Sequence, residues 1–134
     1  MFLRTVLTTL ALTSVAAPCL AQEEGPDYEA HAAALRKRVP ETFTVLIQKP
    51  FVVVGDEAPA RVKSRALRTV KWAVDRLRRQ YFAKDPETII DVWLFRDKKS
   101  YRANALKYFG DEPDTPYGYY TPTHKALVMN ISTG

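Results

Sequence analysis

The chain has 134 residues, room for one domain and not two, with 20 Lys and Arg against 15 Asp and Glu for a formal net charge of +5. That excess is too mild to indicate a nucleic-acid partner. A single cysteine and two histidines exclude a disulfide framework and any zinc site built from several cysteines.

Met1 to Ala21 carries one charge, Arg4, then an apolar run from Val6 to Ala17 and small residues before Gln22. This is the order and length of a secretory signal peptide cleaved after Ala21, with Cys19 as the small residue at minus three. The run is well short of the ~20 apolar residues that a membrane span needs. Pro18 in front of Cys19 argues against lipid attachment there. The expected product is secreted or periplasmic, without a membrane span and without cysteine.

Asp27 is placed to cap a helix over "YEAHAAALRKR", which Pro40 stops, so residues 22–39 read as an N-terminal helical segment and 40–134 as the main body. Phe43 to Gln48 and Phe51 to Val54 read as strands, the second apolar throughout and therefore buried. From Ala58 to Ala83 the residues Val62, Ala66, Val70, Ala73, Leu77 and Tyr81 recur at steps of four and three, and Leu67 and Val74 widen the stripe. The pattern predicts an amphipathic helix of about seven turns at 3.6 residues per turn. Its opposite face holds Arg61, Arg65, Arg68, Arg76 and Arg79, with Trp72 among them.

Thr88 to Phe95 reads as a central strand, apolar on both faces except for Asp91. A helix over "KKSYRANALKYF" follows and ends at Gly110, and "GDEPDTP" reads as a loop. Tyr117 to Thr121 and Lys125 to Asn130 form a hairpin around Pro122-Thr123-His124. The order α-β-β-α-β-α-β-β predicts an α+β fold. Its sheet would be a small mixed or antiparallel one of about four or five strands, covered chiefly on one face by the Ala58–Ala83 helix.

No catalytic constellation is complete. His31 lies in an Ala-rich helix and His124 in a hairpin turn, with nothing at metal-ligand spacing. His-Glu-x-x-His, a phosphate loop and a nucleophile elbow are absent. Asp91 invites a catalytic reading, but such an acid more often faces the sheet end or pairs with an arginine. Three other features remain. Arg65, Arg68, Trp72, Arg76 and Arg79 make a candidate anion-binding face, although the small charge excess favours a solvated face or an interdomain contact. Tyr117, Tyr119 and Tyr120 suit an edge hairpin that an extended peptide joins by strand addition, and their spacing equally fits ordinary alternation with the rings packed half into the core. The sequon Asn130-Ile131-Ser132 sits at a strand end, where glycosylation is not expected.

The segments "PFVVVGDE", "TVKWAVDRLRRQYFAKDP", "DVWLFRDKKSY" and "TPYGYYTPTHKALVMNISTG" resemble the N-terminal part of secreted bacterial gluzincin, or peptidase MA-like, zinc metallopeptidases. The resemblance spans residues 40–134 and implies a zincin-like upper subdomain. In that family the last strand leads through a Gly-rich turn into a helix bearing His-Glu-x-x-His, whose histidines bind zinc while the glutamate activates water. By resemblance, Lys125, Ala126, Leu127, Val128, Met129 and Asn130 would form a substrate-facing edge strand, with the strand of Tyr117, Tyr119 and Tyr120 behind or beside it. The sequence stops at Gly134, where that turn would begin. Zinc and a peptide or protein substrate are therefore expected of a longer parent, and this chain is expected to hold no metal and no catalytic residue. The alternative is a non-catalytic exported binding module using the Arg/Trp helix face or the tyrosine hairpin.

Overall fold

The structure, a computed structural model, describes residues 25–133; the leader, Cys19 and the Ala21 cleavage point lie outside the described residues. Helix α1 (Tyr28–Arg38) starts where the Asp27 carboxylate accepts the Ala30 N–H at 2.9 Å. Its last turn carries Arg36, Lys37 and Arg38, which complement the negative end of the helix dipole. Strands β1 (Thr44–Gln48) and β2 (Phe51–Gly55) pair antiparallel. Strand β3 is Ile90–Phe95. Helix α4 (Lys98–Phe109) is capped by Asp97, which accepts the Ser100 N–H at 2.8 Å, and closes on Gly110 at φ 71°, a left-handed position that favours glycine. Strands β4 (Gly118–Thr121) and β5 (Ala126–Asn130) form the hairpin, followed by a single 3-10 turn.

The fold is α+β, built on one five-stranded mixed sheet in the order β1-β2-β3-β5-β4. β2, β3 and β5 run parallel, and the outer strands β1 and β4 are antiparallel to their neighbours. β3 is central, as its two apolar faces require.

The expected long helix is present but not uniform. It runs as α2 (Pro59–Arg65), a π-helical turn (Ala66–Val70) and α3 (Lys71–Gln80). The apolar positions Val62, Ala66, Val70 and Val74 recur at a strict step of four. In a regular α-helix each such step drifts by about 40° from a fixed face. One wide turn absorbs that drift, so Val62 before it, Ala66 at its start and Val74 after it are all buried. Beyond Val74 the stripe leaves the sheet: Leu77 and Tyr81, expected to be covered, are 42% and 73% exposed, and Leu67 is exposed as well.

The sheet is covered on both faces, which corrects the expectation of one covered face. Alternation along β3 divides its side chains. Val92 and Leu94 pack with Val53 against Val62 and Ala66 of the long helix. Trp93 and Phe95 pack with Val52, Val54 and Val128 against Ala32 and Leu35 of α1 and Tyr101 of α4. Helix α1, set apart in the sequence by Pro40, thus belongs to the main core. Asp56 ties the two layers: its carboxylate accepts the Arg96 N–H at 2.7 Å and the Ser100 hydroxyl, joining the end of β2 to the start of α4.

Candidate functional site

The hairpin carries the features that bear on function, in a different arrangement from the one expected. β5 is an internal strand, hydrogen-bonded to β3 on one side and β4 on the other. The edge-strand role expected of Lys125–Asn130 is therefore corrected: β4 is the edge. The side chains of Ala126, Val128 and Asn130 are buried on one face of β5, and Leu127 and Met129 are half-buried on the other. Lys125 sits in the turn with φ 49°, its N–H donating to the Pro122 carbonyl at 3.3 Å. None of these six residues presents backbone to a partner strand from solvent.

β4 does. The Asn130 N–H donates to the Tyr117 carbonyl at 2.8 Å. Since hydrogen-bonded pairs alternate in an antiparallel ladder, the backbone of Tyr119 and Thr121 faces β5. The N–H and C=O of Gly118 and Tyr120 then point outward, and among the described residues no hydrogen bond reaches them. Gly118 is required where it stands, because a Cβ there would lie 2.6 Å from both the Met129 Sδ and the Val128 carbonyl oxygen.

A groove of about 530 Å³ runs beside this open edge, lined on one side by Tyr119, Tyr120, Thr121, Pro122 and Thr123 and on the other by the loop Asp111–Thr115. Hydrogen bonds hold this loop and Pro116 just beyond it. The Tyr119 hydroxyl donates to the Asp111 carboxylate at 2.8 Å, and the Tyr101 hydroxyl to the Thr115 carbonyl at 3.2 Å. The Tyr117 N–H donates to the Thr115 hydroxyl at 3.3 Å, and the Asn130 amide to the Pro116 carbonyl at 2.8 Å. Burial, and then the Asp111 carboxylate, push the Tyr119 phenol well above its usual range, so it stays a donor to Asp111. Tyr117 and Tyr120 are the exposed rings, at 63% and 50%.

Sequence reasoning assigns Asp111, Glu112 and Asp114 to a loop and no more. The available signal was three acids within four residues of a net-basic chain. The sequon residue Asn130 is 3% exposed, with its amide donating to Pro116 and its side-chain oxygen accepting from Ser132, so the folded chain does not offer it for glycosylation.

The basic helix face is divided. Arg65 is held by Glu57 through two contacts at 2.5 and 3.2 Å, and Arg61 also approaches Glu57 at 3.8 Å. The bonded Arg65 keeps the Glu57 carboxyl below its usual range. Trp72 is 58% exposed, with the Arg76 guanidinium 5.8 Å from its ring centre. Arg68, Arg76 and Arg79 form no ion pair among the described residues.

Asp91 is paired, though with a histidine instead of an arginine. The His31 Nε2 lies 2.6 Å from its carboxylate, latching α1 to the start of β3. Burial raises the Asp91 carboxyl above its ordinary range, and the His31 contact only partly opposes this. His124 lies within reach of the Thr121 hydroxyl at 3.2 Å and packs edge-on against Phe109. Among the described residues no three His, Cys, Asp or Glu side chains are placed to hold a metal ion. No described helix is long and apolar enough to cross a membrane.

Comparison with protein-family models, with curated proteins and with solved structures finds no match to this chain.

Proposed function

We propose that this exported chain holds an extended peptide by strand addition to β4, as the substrate-side sheet of a zinc peptidase of the gluzincin type. The observation that carries this reading is the outward-facing backbone of Gly118 and Tyr120, the second of which lines an open groove. Backbone pairing at such an edge supplies affinity with little dependence on sequence, as a peptidase acting on varied chains requires. The five-stranded mixed sheet with an antiparallel outer strand supports the resemblance. The side chains described here do not fit a zinc ion, so no hydrolytic step is assigned to them. Their part is to bind the backbone and fix its direction.

The test is calorimetric titration of the chain with a short peptide of alternating Val and Gln. Tyr120→Pro removes one outward donor without touching a bond to β5, because proline is tolerated on an edge strand whose N–H faces solvent. Binding should fall sharply in Tyr120→Pro and persist in Tyr120→Val, with both variants folded. Equal binding by the two would refute strand addition.

A second reading, a non-catalytic module that takes a polyanion on the helix, is favoured by one observation: Trp72 stands exposed under Arg76, between Arg68 and Arg79. Arg65 drops out of that set through Glu57.

A further inference from the structure

The groove beside β4 has an acidic loop for one wall. It touches Tyr119, whose side chain lies on the α1/α4 face of the sheet, and Tyr120, which alternates to the other face. A space that meets both faces of one strand lies along its edge, where an added strand would run. Its far wall is the loop carrying Asp111, Glu112 and Asp114, in a chain whose overall charge is +5. The Tyr119–Asp111 hydrogen bond places this loop on the α1/α4 side. The three carboxylates do not converge on a point where a metal ion could sit. All three acids line the groove, a charge pattern that suits an extended cationic chain.

We infer that the β4 groove selects extended peptides bearing Lys or Arg at alternate positions, with the basic side chains directed to the α1/α4 side against Asp111, Glu112 and Asp114. The inference rests on the proposed strand addition and adds a substrate class to it. Alternate spacing follows from strand geometry, since every second residue of a paired peptide faces the same side. Exposed ion pairs of this kind change affinity by about two- to fivefold each and are weakened by salt.

The experiment titrates the full chain with three fluorescein-labelled peptides alternating Val with Lys, Gln or Glu. It then repeats the series with the D111N/E112Q/D114N variant, in which the new amide oxygen at position 111 can still accept from Tyr119. The Val-Lys peptide should bind roughly tenfold tighter than the Val-Gln peptide at low salt, with Val-Glu weakest. The variant should lose this ranking and keep its affinity for Val-Gln. Equal binding of all three peptides overturns the charge selection and leaves strand addition standing. A preference for Lys that survives backbone N-methylation of the peptide overturns strand addition and leaves a charged surface. No binding by any peptide overturns both.

Discussion

Gly55, the last residue of β2, is where the long helix comes closest to the sheet. A Cβ built on it would lie 2.7 and 2.9 Å from the two methyl carbons of Val62, closer than carbon atoms pack. Val62 is 1% exposed and sits with Val53, Ala66, Val92 and Leu94, so it has little room to retreat. Forcing one extra methyl into a packed core costs about 1–3 kcal/mol. Replacing glycine by alanine returns about 0.4–1 kcal/mol by restricting the unfolded chain. The net effect of Gly55→Ala is therefore a loss of about 0–2.6 kcal/mol, with its centre at about 1.3 kcal/mol. Val62→Ala removes two buried methyl groups, about 1.6 kcal/mol before any cavity cost. In the double variant the new methyl of residue 55 occupies space vacated by Val62, so the two losses should sum to less than their separate values by at least about 0.5 kcal/mol. Urea denaturation of the four proteins, with unchanged slopes, reads these differences as midpoint shifts. A stabilising Gly55→Ala, or strictly additive losses, would refute the close helix–sheet contact at this point.

Two further outcomes follow from the same contacts. Burial raises the folded-state carboxyl of Asp91 despite His31 and the nearby Arg38 charge, so the folded protein binds that proton more tightly than the unfolded chain. The stability from the protonated acid is fully present below the ordinary Asp value of about 3.9 and is lost as pH rises through the raised one. Relative to Asp91→Asn, the wild type should thus lose stability as pH is raised from about 3 through the raised Asp91 value; a flat difference would refute the burial effect. On the helix, the R68Q/R76Q/R79Q variant should leave urea stability within about 0.5 kcal/mol of wild type, as exposed sites do. If the polyanion reading holds, the same variant abolishes retention of the chain on a phosphocellulose column; unchanged retention would refute it.

Much of the element order was legible because it rests on local chemistry. Asp27 and Asp97 are N-caps, and Gly110 stands at the left-handed end of α4, all within a residue or two of where the sequence places them. β3 was legible as central from its two apolar faces. The same feature should have indicated helices on both sides, since a strand apolar on both faces needs two covers. What was not legible depends on distant pairing. The hairpin turn fixes that β4 and β5 are neighbours. Which of them lies against β3 is decided by a parallel ladder between segments more than thirty residues apart, such as Asp91 with Ala126. The pairing of Asp91 with His31 across 60 positions had no local signal either. The π turn had one, the strict four-residue recurrence of Val62, Ala66, Val70 and Val74, which a regular helix cannot keep on one face. The exposure of Leu77 and Tyr81 follows from where the sheet ends, which periodicity does not encode.

The most direct test of peptide pairing at β4 is amide hydrogen exchange at four consecutive residues, measured by NMR with and without the Val-Lys peptide. Gly118 and Tyr120 should exchange rapidly in the free chain and become protected on binding. Tyr119 and Thr121, whose backbone already faces β5, should change little. Peptide that binds while Gly118 and Tyr120 continue to exchange rapidly would contradict strand addition at this edge.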